Sequence, residues 1–337
     1  MNVLMICGTH PPDVCGIGDY TARLIESLRH IGTNVTTLPG VRWNLRSAGK
    51  IIESATRPRY DIVHIQYPGV GYGHSVVPQL LSARVPAVVT LHEFSHVRIP
   101  RRIASLPFLL SARQLVFTSE GELSNVRRVF PGIARKSVVI PIGTNIAPAL
   151  AERPRDFSEV IYFGLIAPRK GIEQVLEFAS CLRQEEPGIS VRLIGQVPAS
   201  FRHYAETLKA KAQGLPVKWT LGKAEPEVAE LLSTASIAYL PFPDGASERR
   251  GTLKAALGSG VVCVSTEGKQ TSDALRRLLT FASDGRDALK KIRTLLADRG
   301  LWERTSAEGL AYSASFQWDH IAHSHVQLYK KLLGEGG

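Results

Sequence analysis

Short apolar, β-branched runs alternate along this chain with longer segments whose apolar positions recur every three or four residues. The first spacing suits buried strands and the second suits helices that cover them. In the first half, Asn2–Cys7, Val35–Leu38, Ile62–Gln66, Ala87–Leu91, Gln114–Thr118 and Ser137–Ile140 read as strands, with amphipathic segments such as Thr21–Ile31 between them. The second half repeats the theme at Glu159–Phe163, Ser190–Ile194, Val217–Leu221, Ile237–Leu240 and Val261–Ser265. Helices are predicted there at Ile172–Glu185, Arg202–Gln213, Glu225–Thr234, Thr252–Leu257, Asp284–Ala297 and Leu301–Ser313, and over Phe316–Leu333 at the end. Strands that are apolar on both faces, each followed by a helix, predict parallel sheets covered on both sides.

A polar, proline-containing stretch, Ala147–Ser158, separates the two halves and reads as a linker. The 337 residues therefore divide into domains at 1–150 and 151–315, with 316–337 as a closing helix. At 44% hydrophobic and 21% charged residues the composition is that of an ordinary globular protein. No run approaches the roughly 18 apolar residues of a membrane span, and the opening Met-Asn-Val-Leu-Met-Ile-Cys-Gly lacks a basic leader. Cys7, Cys15, Cys181 and Cys263 show neither CxxC nor zinc spacing, so reduced thiols in a cytoplasm are expected.

Charge adds a direction. Residues 1–150 carry 16 Lys/Arg against 8 Asp/Glu, whereas the remainder carries 25 against 22, so the excess of the net +11 lies in the first half. Within it, residues 96–110 interleave Arg98, Arg101 and Arg102 with Ile103, Leu106, Phe108, Leu109 and Leu110. Such a segment can lie on anionic lipid headgroups, or it can be a solvated loop that runs into a buried helix. Nucleic acid is not expected as a partner, since no binding module or RNP-type aromatic pattern occurs.

Two glycine-marked turns carry the candidate chemistry. Gly16-Ile17-Gly18 follows the first strand, but Thr21 stands where a dinucleotide fingerprint has its third glycine. Eight residues also separate Cys7 from Gly16, too many for that tight turn. The expectation is a long loop whose glycines let backbone approach a ligand at the next helix start. Phe163-Gly164-Leu165-Ile166-Ala167-Pro168-Arg169-Lys170-Gly171 places two cations at a helix head, where they repel the dipole unless an anion lies between them. Farther on, Ser247, Glu248, Gly251 and Thr252 form a polar loop running into a helix. Its N–H groups suit a phosphate and its side chains suit hydroxyls. His64 and His92 close two strands at the end where α/β proteins place ligand groups. His320, His323 and His325 share one helix face only in part, and no carboxylate or cysteine cluster supports a metal there.

Taken in order, these motifs resemble the retaining GT-B glycosyltransferases, specifically glycosyltransferase family four. Gly16-Ile-Gly-Asp-Tyr-Thr is similar to its glycine loop, and Asp61-Ile-Val-His-Ile-Gln and Thr90-Leu-His-Glu to its acceptor-domain strand ends. Val139-Ile-Pro-Ile-Gly resembles the crossover between domains, and Phe163-Gly with Arg169-Lys170-Gly171 the donor phosphate turn. The segment from Arg249 to Val262 resembles the nucleotide-sugar loop, and Phe316-Gln-Trp-Asp-His-Ile-Ala the helix that crosses back to the N-terminal domain.

The resemblance implies two Rossmann-like domains facing across a cleft, and transfer of a sugar from a nucleoside diphosphate sugar to a glycan or lipid-linked acceptor. It further implies retention of configuration, no metal and no other cofactor, bacterial polysaccharide or glycoconjugate synthesis, and a cytoplasmic or peripheral-membrane location. His92, Lys170 and Arg169 take the catalytic positions. Gly16, Gly18, Gly164, Ser247, Glu248, Gly251, Thr252 and Leu253 take the donor, and Asp19, Tyr20, His64 and Gln66 the acceptor. The chain departs from the family in three places. Ser247 and Ala255 stand where two glutamates eight positions apart are usual, and Leu165 stands where an arginine is usual. Two other readings therefore stay open: a degenerate partner of an active transferase, and a GT-B epimerase or phosphorylase.

Overall fold

The computed structural model describes residues 1–11, 13, 15–38, 40–57, 59–92, 94, 99–144, 146–149 and 153–334, with only the backbone of 99–101. They form two compact units, Met1–Gly143 with Phe316–Gly337, and Thr144–Ser315. The division falls at Gly143/Thr144, ahead of the linker expected near residue 150.

The first unit runs β1 (Asn2–Ile6), α1 (Gly16–His30), β2 (Asn34–Thr37), α2 (Leu45–Thr56), β3 (Ile62–Tyr67) and α3 (Val77–Arg84). It continues with β4 (Val88–Leu91), α4 (Ile99–Ser111), β5 (Gln114–Phe117), α5 (Glu120–Val129) and β6 (Ser137–Val139). The sheet order is β2-β1-β3-β4-β5-β6, parallel throughout. The second unit runs β7 (Asp156–Phe163), α6 (Ile172–Glu185), β8 (Ser190–Gly195), α7 (Arg202–Lys211), β9 (Val217–Leu221), α8 (Glu225–Thr234) and β10 (Ala235–Leu240). Then come α9 (Gly251–Gly258), β11 (Val262–Ser265), α10 (Asp273–Leu278), β12 (Thr280–Phe281), α11 (Gly285–Ala297) and α12 (Arg299–Ser313). Its order is β12-β11-β10-β7-β8-β9, again parallel. The last helix, α13 (Trp318–Leu333), belongs to the first unit.

Each sheet is apolar on both faces because each face meets helices. In the first unit, Tyr20, Leu24, Ile25 and Leu28 of α1 pack with Ile321, Ala322, Leu328 and Tyr329 of α13 on one face, against Val3, Met5, Val88 and Val116. The other face meets Ala48, Ile51 and Ala55 of α2, Val77 and Leu81 of α3, and Phe108 and Leu109 of α4. The second unit has one continuous core, in which α6 supplies Ile172, Val175, Phe178 and Leu182, and α9 supplies Leu253 and Leu257.

One expectation is overturned here. α1 begins at Gly16, not Thr21, so Gly16 and Gly18 form the helix's first turn instead of a loop. Gly16 faces open space, whereas a Cβ on Gly18 would come within 2.9 Å of the Thr9 carbonyl oxygen. Gly18 is required by packing. No helix among the described residues is long and apolar enough to cross a membrane.

Candidate functional site

In the second unit the strand order reverses between β7 and β10, which lie side by side although β8 and β9 separate them in sequence. At such a switch point the loops leaving the two strands part in opposite directions and open a crevice at the carboxyl end of the sheet. Both loops run into helices. β7 leads through Gly164–Gly171 into α6, and β10 leads through Pro241–Arg250 into α9. Neither helix has a side-chain cap on its first turn. The first N–H groups of α9, at Gly251, Thr252 and Leu253, precede the first intrahelical bond, from the Lys254 N–H to the Arg250 carbonyl (3.1 Å).

The crevice is lined by Gly164, Lys170, Arg249, Arg250, Gly251 and Thr252, with Tyr162, Phe163 and Phe242 on its walls. Three cations and an uncapped helix start converge there, an arrangement that attracts an anion. Arg250 stacks over Phe242, its guanidinium carbon 4.7 Å from the ring centroid, and pairs with Asp244. Its Nε remains a buried donor without an acceptor. A second crevice shares Gly164, Leu165 and Thr252 and extends over β8 and β9 to Gln196, Lys223 and Glu225. Two of the close approaches that shape this rim depend on glycine. A Cβ on Gly171, whose φ is +79°, would stand 1.8 Å from the Pro241 carbonyl oxygen. One on Gly195 would stand 1.8 Å from that of Gly164.

The other residues expected at the donor site lie elsewhere. Arg169 is exposed and carries a left-handed backbone, φ +61°. Ser247 is buried, and Glu248 accepts a hydrogen bond from the Tyr312 hydroxyl at 3.2 Å. Neither lines the crevice. The Leu253 side chain is in the core, so only its backbone can serve a ligand. Lys254 is buried one turn into α9. Desolvation lowers its ammonium to about 8, against the opposing pull of Glu248.

In the first unit, Tyr20, His64, Gln66 and His92 come together, but inside the unit, and none of the four is an exposed contact. His64 Nδ1 lies 2.6 Å from the Tyr329 hydroxyl and its Nε2 lies 2.7 Å from Thr90 Oγ1. His92 Nε2 lies 2.9 Å from Gln66 Oε1. The Tyr20 ring meets the edge of His92 at 4.8 Å and its hydroxyl lies 3.4 Å from His325 Nε2. Burial lowers all three histidines: His92 and His325 to about 3, and His64 well below its usual value, with the neighbouring His325 and His92 adding to the effect. Asp19 is exposed in the first turn of α1. His320 and His323 are exposed while His325 is buried, so the three do not converge, and no group of metal-ligating side chains occurs among the described residues. All four cysteines are free and buried.

The comparisons bear on both units. The family model for Glycosyltransferase Family 4 matches residues 6–147. An uncharacterized glycosyltransferase of Bacillus subtilis, YqgM, is 25% identical over 99% of this chain and 98% of its own length. The match to glycosyltransferase family four thus covers the first unit through its last strand. A D-inositol 3-phosphate glycosyltransferase of Nocardioides is 24% identical over 67% of this chain and 53% of its own length. Among solved structures, Anabaena Alr3699/HepE in complex with UDP and glucose superposes with a TM-score of 0.67 at 16% identity, over 98% of this chain and all of that one. The fold is that of the GT-B glycosyltransferases.

Sequence reasoning missed Arg249 and Arg250 as lining residues of the crevice. The signal was available: they stand immediately before the glycine that opens α9. It also missed His325 and Tyr329, which share no local pattern with His64 and reach it only because α13 folds back onto the first unit.

Proposed function

We propose that the chain binds a nucleoside diphosphate sugar at the β7/β10 crevice and transfers the sugar, with retention and without a metal, to a glycan or lipid-linked acceptor. The observation that carries this reading is the convergence of Lys170, Arg249, Arg250 and the uncapped start of α9 at the switch point. The diphosphate sits among these groups, and the nucleoside runs along the second crevice toward Gln196 and Glu225. Charge that builds on the departing diphosphate is met by donors already in place, with no reorganisation at the moment of bond breaking. The UDP held by Alr3699/HepE supports this donor class. Lys170 and Arg250 replace the family arginine that Leu165 lacks.

The acceptor reading rests on the first unit. A groove between α4 and α5 is lined by Arg102, Ile103, Leu106, Val129 and Phe130, and Arg127 and Arg128 are exposed beside it. Of residues 96–110, Phe108 and Leu109 are buried, Ile103 and Leu110 are exposed, and 96–98 lie outside the described residues. An apolar groove with a basic rim suits an anionic lipid surface, each cation contributing about 1 kcal/mol. The relative named for inositol 3-phosphate likewise carries an anionic group in its name. The chain then acts on the cytoplasmic face of a membrane, in glycan assembly.

The test is transfer from a panel of nucleotide sugars to a polyprenyl-phosphate acceptor presented in anionic or neutral vesicles. The product is expected to keep the donor's anomeric configuration. Transfer is expected to be faster on anionic vesicles, with Arg127→Ala/Arg128→Ala removing most of that advantage. An inverted product refutes retention, and equal rates on both vesicles refute the lipid surface.

A further inference from the structure

Lys254 stands apart from the rest of α9. Its helix neighbours Leu253, Ala255, Ala256 and Leu257 are buried in the apolar core, and Lys254 is itself only 4% exposed. An ammonium is costly to bury unless an opposite charge meets it, and an apolar residue would fill the same space more stably. Charges kept at that cost are concentrated at functional sites. A helical side chain leans toward the amino end of its helix. That of Lys254 therefore leans back over Gly251 toward the loop before α9, where Glu248 is the charge that supports its ammonium. Glu248 in turn accepts the Tyr312 hydroxyl of α12 at 3.2 Å. α12 is seated closely on α9, since a Cβ on Gly309 would stand 3.1 Å from Leu257 Cδ2. The same loop runs on through Arg249 and Arg250 to the crevice.

We propose that Lys254 is a positioning residue for the anion site: its ammonium holds Glu248, which Tyr312 grips from α12, and so fixes the loop that delivers Arg249 and Arg250 to the crevice. This role rests on the functional reading above. A nucleoside diphosphate then binds best while Lys254 is charged, and its binding in turn favours the charged form. Burial lowers the ammonium to about 8, against the pull of Glu248, so the charge is lost within an accessible range of pH. Tyr312 of α12, Cys263 of β11 and Tyr162 beside the crevice are pushed up by burial and stay neutral over that range. The charged side chains of α12, Arg299, Glu303, Arg304 and Glu308, are exposed, and Arg250 is turned to Asp244.

The test is calorimetric titration of the full chain with UDP, GDP, ADP, dTDP and CMP at pH 7, followed by titration of the nucleotide that binds from pH 7 to pH 9.5. Its affinity is expected to fall about tenfold as Lys254 loses its proton above pH 8. At pH 8.5, heats in two buffers of different ionisation enthalpy should show uptake of a fraction of a proton per nucleotide bound. Lys254→Met is expected to bind more weakly at pH 7, with no further fall above pH 8 and no proton uptake. Lys254→Arg, which stays charged, is expected to restore binding and to hold it flat to pH 9.5. Tyr312→Phe releases Glu248 and is expected to weaken binding about two- to tenfold at pH 7. A parent affinity that stays flat over the range, or a fall and proton uptake that persist in Lys254→Met, would overturn the role of Lys254. The parent profile decides by itself, so a variant that failed to fold leaves the test intact. Binding with a flat profile removes this role alone, whereas no nucleotide bound at any pH removes the functional reading with it.

Discussion

Acidification below pH 6.5 is expected to unfold the first unit well before it disturbs the second. His64, His92 and His325 are buried and neutral, and burial depresses each pKa in the folded state. In the unfolded chain each titrates near its ordinary value of about 6.5. Above that pH neither state takes up the protons, and the three contribute no pH dependence. Below it the unfolded state binds protons that the folded state cannot, so stability falls with pH until the folded values, near 3, are reached. Three groups give a slope of about 4 kcal/mol per pH unit, or about 6 kcal/mol by pH 5. That is comparable to the whole stability of a typical domain. Hydrogen exchange followed by mass spectrometry at pH 7.5 and pH 5 separates the units. Peptides from β3, β4 and α13 should lose protection while those from β7 and β10 keep theirs. His325→Phe should reduce the slope by about a third. Equal losses in both units, or an unchanged slope, would show that the histidines are not neutral in the folded chain.

Gly171→Ala is expected to cost the second unit about 3 kcal/mol or more and to abolish its anion site. Two effects add there. A non-glycine residue at φ +79° costs about 1–2 kcal/mol, and its Cβ would stand 1.8 Å from the Pro241 carbonyl oxygen. Neither partner in that contact is a side chain that can swing aside, so the loops after β7 and β10 must part, taking Lys170 with them. Gly222→Ala supplies the comparison, since Gly222 has a φ of +74° but nothing within 4 Å. Thermal unfolding should show a small loss for Gly222→Ala and a several-fold larger one for Gly171→Ala. Equal losses would mean the loops are not in contact as described.

Much of the fold was legible because its signals are local. Every sheet strand except the two-residue β12 falls on an apolar run, and α6, α8 and α11 end within a residue of their expected limits. The short α10 escaped notice because a six-residue helix spans too few turns to show a period. The start of α1 was misplaced because glycines count against helix interiors. Gly16 and Gly18 occupy the first turn, where that cost is small and where Gly18 lets the helix press on Thr9. The crevice between β7 and β10 was legible in part, as turns that run into helices. Which residues line it was not, since Ser247 and Arg250 are alike polar loop residues until the loop is folded. The buried histidine cluster was illegible altogether, because His64 and Tyr329 become neighbours only through the return of α13.

The most direct measurement of the central claim is calorimetric titration of the purified chain with UDP, GDP, ADP, dTDP and CMP, repeated with Lys170→Ala and with the matching nucleoside. One nucleotide should bind one-to-one, and Lys170→Ala should weaken it about ten- to hundredfold, as expected for a lost charge-assisted hydrogen bond. The nucleoside, having no phosphates, should bind weakly and equally to both chains. No binding by any nucleotide, or an affinity indifferent to Lys170, would contradict a diphosphate seated between β7 and β10.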